Sequence, residues 1–160
     1  MTMTTELFTN WGDYQTAIDR LLTLASKELR IYDKNLAQLK LDNPARIEML
    51  KLLLVNRREI SLRIAVRDAK HIRDQSPRLL ELLRNNSHRM AIIETPENLA
   101  HLRDGMILAD DGNGLVLFDQ DQPRSKLIID DIGETSVYLR RFDEIWREGG
   151  QSISASVAGL

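Results

Sequence analysis

The stretch 59–66, EISLRIAV, alternates apolar and other side chains without a break. Ile60, Leu62, Ile64 and Val66 share one face of a strand there, and Ser61, Arg63, Ala65 and Arg67 the other. Two helix-start signals bracket it. Asn43-Pro44 stands before and Ser76-Pro77 after, each pairing a capping side chain with a proline whose missing N–H does no harm in a first turn. A half-apolar strand between two helices must be covered by them, which already points to layered α/β structure.

The pattern repeats along the chain. Residues 13–26 place Tyr14, Ala17, Ile18, Leu21, Leu22 and Ala25 at helical spacing, with Asn10 or Asp13 as cap. A short strand follows at 28–33, ELRIYD, and then a loop around 34–41. The helix after Asn43 runs to about 56, with a broad apolar set that suggests burial on more than one side: Ile47, Met49, Leu50, Leu52, Leu53, Leu54 and Val55. The helix after Ser76 ends near Asn85-Asn86, and 89–94, RMAIIE, is a third strand. A short helical piece fits 96–102. From 104 onward Met106–Ala109 and Leu115–Phe118 flank Asp110-Asp111-Gly112-Asn113-Gly114, whose Asn-Gly is a hairpin signal. A strand at 125–130 precedes a closing helix capped by Thr135 or Ser136 and terminated by Gly149-Gly150. The expected fold is α/β: one mixed sheet, parallel where helices cross over and antiparallel at the hairpin, flanked by helices. One domain is expected over 10–148, with a flexible segment 1–9 and a disordered tail 149–160.

Composition narrows the chemistry. The chain has 160 residues and no Cys, which excludes a disulfide scaffold, thiolate catalysis and Cys-ligated metal centres. No apolar run approaches the ~20 residues of a membrane span. The start, MTMTTELFTNW, carries neither a basic nor an apolar leader region, so a cytoplasmic address is expected. His71, His88 and His101 are not spaced as a helical metal pair, and the acidic pairs around Asp110, Asp119 and Asp130 lack an EF-hand's alternation. No Gly-rich phosphate loop and no nucleophile elbow is present. No metal or other cofactor is expected.

Charge is unevenly placed. Residues 1–93 hold 16 Lys/Arg and 11 Asp/Glu, a net of +5, and residues 94–160 hold 6 and 13, a net of −7. The densest basic run, Arg57–Arg73, includes Arg63 and Arg67, which on one strand face are candidates to hold an anion or nucleic-acid phosphates. No aromatic residue interleaves that run, so it offers no stacking platform of its own.

The order of elements and the segment RDGMILAD, 103–110, resemble one half of the phospholipase D superfamily, whose hairpin carries His-x-Lys-x4-Asp. The resemblance covers roughly 28–148. It extends to a group of uncharacterised bacterial proteins with the same degenerate half. Asp110 falls on the signature Asp, Arg103 on the His and Gly105 on the Lys. The superfamily's Gly-Ser-x-Asn stretch would fall on Leu117–Gln120, which does not match it. The resemblance implies a half-domain that pairs with a second copy, and Arg103 and Asp110 as remnants that could hold a ligand. The family's reaction needs an imidazole nucleophile and a Lys charge on the phosphate oxygens. An arginine has no lone pair to attack with, and Gly105 supplies no charge. The expectation is a non-catalytic binding or interaction module. Two alternatives stand beside it: a phosphate or nucleic-acid binder using the 57–73 run, and a weak phosphodiesterase using His101. The His101 register would put Arg103 at the Lys position but Leu108 at the Asp position.

Overall fold

A computed structural model describes residues 3–154. Eight strands form a single sheet: β1 (Thr4–Phe8), β2 (Leu29–Asp33), β3 (Leu62–Val66), β4 (Met90–Glu94), β5 (Gly105–Ala109), β6 (Asn113–Leu117), β7 (Ser125–Ile129) and β8 (Gln151–Ser152). Their order across the sheet is β1-β7-β6-β5-β2-β3-β4-β8. Strands β2, β3 and β4 run parallel, and all other pairs are antiparallel. This is the mixed sheet the alternating pattern calls for.

The helices are α1 (Trp11–Leu24), α2 (Pro44–Leu54), α3 (Lys70–Gln75), α4 (Pro77–Asn85) and α5 (Ile132–Glu148). The first four cover one face. There Tyr14, Ile18 and Leu21 of α1 and Leu50 and Leu54 of α2 meet Leu29, Ile31, Leu62, Ile64 and Ile107 in the main core. Helix α5 alone covers the other face. Its Phe142 and Ile145 pack on Tyr32, Ala65, Ile93, Met106 and Leu108. Thus β2 and β3 are buried on both faces, but by unequal amounts of helix.

Asn10 and Asn43 cap α1 and α2 by accepting from Asp13 N and Ala45 N, each at 2.8 Å. Ser76 makes no such bond. The start of α4 is held instead by Asp42, whose Oδ1 accepts from Leu79 N at 2.8 Å. Helix α5 begins four residues earlier than a Thr135 cap would place it, because Asp131 is the cap and accepts from Glu134 N at 3.0 Å. Leu52 and Val55 stand exposed on α2, so its broad apolar set is buried on one side only.

Both chain ends depart from the expected domain of 10–148. Residues 4–8, expected in a flexible segment, form edge strand β1, with Thr4 opposite Ile129 and Phe8 opposite Ser125, and Phe8 packs against the main core. Its side chains, TTELF, show no apolar alternation, and only Thr4 and Phe8 are partly buried. After α5, Gly149 and Gly150 adopt positive φ and turn the chain back. Gln151 then pairs with Glu94, and the buried Ile153 donates its N–H to Ile92 O at 2.9 Å. The expected disordered tail is therefore ordered through this strand, and its last six positions lie outside the described residues.

Candidate functional site

The parallel strands β2, β3 and β4 end together, where β5 begins and β6 finishes. This end is called the crest here, and the opposite end the foot. Open α/β sheets bind ligands beyond the carboxyl ends of their parallel strands, so the crest is the place to look first.

Asp33 closes β2 at the crest. It points to the core face with Leu29 and Ile31, and its carboxylate accepts from Leu36 N at 2.9 Å and Asn35 N at 3.3 Å. Burial raises its pKa, against the lowering pull of those N–H donors and of Arg67. Gly105 faces it across the strand pair. A Cβ at Gly105 would lie 3.3 Å from Asp33 Oδ1 and 3.4 Å from Tyr32 O. Gly105 is thus the smallest residue in a buried, close-packed spot.

Arg67 leaves β3 at the same end. Its Nε donates to Gln120 Oε1 at 2.8 Å and its Nη1 to Ala100 O at 3.2 Å. Gln120 is buried, and its Nε2 donates to Asp104 O at 2.7 Å. Asp104 in turn receives a two-pronged bond from Arg141 of α5, at 2.8 and 2.6 Å. Tyr32 donates to Leu102 O at 2.8 Å, and burial pushes its hydroxyl pKa up to about 12. Arg103 is exposed and paired with Asp121, which also accepts from Lys34 Nζ at 3.1 Å. These cations hold the Asp121 carboxyl below its ordinary value, the hydrogen bond from Lys34 foremost. The crest is therefore tied shut by its own side chains. His101 stands exposed in the turn after a single 3-10 turn at Glu97–Leu99, beside a hollow of about 540 Å3.

Asp110 lies at the foot, at the far end of the five-residue β5 from Arg103, so the structure sets these two candidates apart rather than side by side. The Asp110 carboxylate is committed to the loop before β2. It accepts from Lys27 N at 2.8 Å, Glu28 N at 3.1 Å, Ser26 Oγ at 2.9 Å and Ser26 N at 3.2 Å. Partial burial pulls this carboxyl upward, but the donors together outweigh it and its pKa lies below the ordinary Asp value. Asp110 has φ +56°, a conformation Asp tolerates better than most residues.

The other predicted pair is also divided. Arg63 and Arg67 do share a face, but Arg67 belongs to the crest and Arg63 to the foot. In register, Arg63 lies opposite Arg30 of β2. Glu28 meets both guanidiniums, Arg30 by a short contact and Arg63 Nη1 at 3.6 Å. Trp146 and Arg147 of α5 line the same cleft, of about 350 Å3. A second cavity of about 760 Å3, lined by Arg57, Arg58 and Asp110, adjoins it through Glu28 and Arg30.

Sequence reasoning passed over Asp33, Gln120, Arg30 and Trp146. Asp33 had a signal: period two places it on the apolar face of β2, where a carboxylate needs a reason. Gln120 had one too, since it falls on the Asn position of the unmatched Gly-Ser-x-Asn stretch. The approach of Trp146 to Arg63 is tertiary and has no local trace. Among the described residues no group of three or more His, Asp or Glu is arranged to hold a metal ion, and no helix is long and apolar enough to cross a membrane.

Residues 11–154 match the family model described as a domain of unknown function, DUF7931. The chain belongs to that family. A comparison with curated protein sequences gives no match. Among solved structures it is similar to Nuc, a phospholipase D family member from Salmonella typhimurium, with TM-score 0.67 and 11% identity over 96% of this chain and 99% of that one. It is also similar to NucT from Helicobacter pylori, with TM-score 0.60 and 10% identity over 92% and 98% of the two chains. A third likeness is to TrmBL2, an archaeal chromatin protein described as showing a novel mode of DNA binding. There the TM-score is 0.62, with 11% identity over 90% of this chain and 52% of that one. The fold is that of the phospholipase D family.

Proposed function

We propose that this chain is a phospholipase D-like module that binds a ligand without hydrolysing a phosphodiester, and that it works as a pair of identical copies. The crest carries the reading. Where the family's chemistry calls for a nucleophilic imidazole, an exposed Arg103 is paired with Asp121. Where it calls for a lysine, Gly105 is packed against a buried Asp33. Arg103 has no lone pair with which to attack phosphorus, and Gly105 has no charge to neutralise its oxygens. The surrounding polar groups are engaged with one another, Arg67 donating to Gln120 and Gln120 to Asp104 O, rather than aimed at open space.

The test is hydrolysis of bis(p-nitrophenyl) phosphate by the full chain and by His101→Ala. The expected result is no turnover above buffer for either protein. Turnover that disappears in His101→Ala would sink this reading in favour of the phosphodiesterase.

A further inference from the structure

The foot of the sheet breaks a rule that the rest of the molecule keeps. Arg30 and Arg63 are direct register partners on adjacent strands and the same face. Like charges in that relation destabilise a sheet, because their side chains lie side by side. Both are largely buried, with side chains 18% and 28% exposed, and the single carboxylate of Glu28 lies between them. One row further along the same face, Tyr32 and Ala65 are sealed beneath α5. The arginine row is left at the margin of the helix, beside small Ala91 of β4.

The helix flank completes the cleft. Trp146 stacks on the buried Phe142 with ring centroids 5.8 Å apart and planes 19° from parallel, and it forms a wall above the arginines. Arg147 and Asp143 stand at the rim. Three guanidiniums against two carboxylates leave an excess positive charge on a half-buried floor, next to an aromatic ring stacked on Phe142. A guanidinium pair takes a phosphate, and a fixed indole takes a planar ring. A local conflict kept in an otherwise consistent sheet is the mark of a site.

We propose that this cleft binds a nucleotide, with its phosphate on Arg30 and Arg63 and its base against Trp146. The chemistry is the same whether the nucleotide is free or stands at the end of a single strand. The site lies away from the crest and is independent of whether the crest hydrolyses anything.

The protein contains two tryptophans, so Trp11→Phe leaves Trp146 as the only indole reporter. In that background, Trp146 emission is followed while AMP, ribose 5-phosphate or a short single-stranded oligonucleotide with a terminal phosphate is added. A saturable change with AMP is expected, at least about tenfold weaker in Arg63→Met, which keeps the apolar stem and removes the charge. The exposed Arg147→Ala checks the same charge without disturbing the sheet, and should also weaken binding. Arg84→Met, on the exposed side of α4 across the sheet, should leave it unchanged. Tighter binding of the oligonucleotide than of AMP assigns the site to strand ends, and the reverse assigns it to free nucleotides. No saturable change with any probe overturns the proposal. So does ribose 5-phosphate binding as tightly as AMP, or AMP binding that ignores both Arg63→Met and Arg147→Ala.

Discussion

The two ends of the sheet solve the same problem in opposite ways. Each brings arginines and carboxylates close together. At the crest every such group finds a specific partner: Arg67 has Gln120 and Ala100, Arg141 has Asp104, and Asp33 has the loop that follows it. At the foot Arg30 and Arg63 share one glutamate, Arg30 adding a long 3.5 Å bond to Asp110 O, and an open cleft lies beside them. A fold family's usual ligand-binding edge is therefore a poor guide to where an individual member keeps spare interaction capacity. Spare capacity is found by asking which buried charges are not fully answered.

The contrast also runs along a single strand. Arg103 and Gly105 stand at the crest end of β5, while at the foot end the loop before β2 is held by Asp110. The largest effect should come from removing it. Asp110→Ala leaves the N–H groups of Ser26, Lys27 and Glu28 without their acceptor and puts alanine at a positive φ. The expected loss is about 3 kcal/mol by urea unfolding. Asp110→Asn retains an acceptor and tolerates the backbone, so about 1 kcal/mol is expected. Equal losses for the two variants would show that the carboxylate's hydrogen bonds are not what matters.

A smaller, pH-dependent effect should come from Asp33. Its pKa is raised in the folded chain, so the folded state holds the proton more tightly than the unfolded one. Its contribution therefore favours folding below the ordinary Asp value and is lost as pH rises through the raised one. Asp33→Asn keeps an acceptor for Leu36 N and cannot ionise. Its Tm advantage over the wild type should grow as pH rises from the ordinary Asp value and level off above the raised one. An advantage that is constant with pH would contradict the burial argument. Asp110 carries the opposite sign: its lowered pKa supplies stability above the ordinary Asp value that fades as pH falls through the lowered one.

The smallest effect should be at the exposed strap of the crest. Asp121→Asn breaks the pairing with Lys34 and Arg103 in full solvent, and no resolvable change in Tm is expected. A clear loss would mean that the crest depends on this strap to stay closed.

Much of the fold was legible in the sequence because its signals are local. Strand β3 announces itself by alternation, α2 by Asn43-Pro44, and the β5–β6 hairpin by its turn residues. The misses share a different cause. Strand β1 is polar and exists because β7 offers it an edge, and β8 exists because two glycines return the chain to β4. Each is defined by a distant partner rather than by its own residues. The site divides in the same way. Arg63 and Arg67 were visible as a basic pair, but only the register of β2 against β3 shows that Arg63 belongs with Arg30, and only the path of α5 brings Trp146 beside them.

Strand β1 has one more consequence, in time rather than in space. Among the described strands it neighbours β7, so the first of these eight strands to be synthesised pairs with one of the last of them. While the middle of the chain is being made, Thr4–Phe8 has no edge to join. The parallel trio β2–β3–β4 can assemble without it, but the antiparallel half cannot be finished until residues 125–129 arrive. Joining segments so far apart along the chain is slow, because the long loop between them must close before any contact rewards it. Completion of this sheet edge should therefore come late in folding, with the edge of β7 open to other strands until β1 docks.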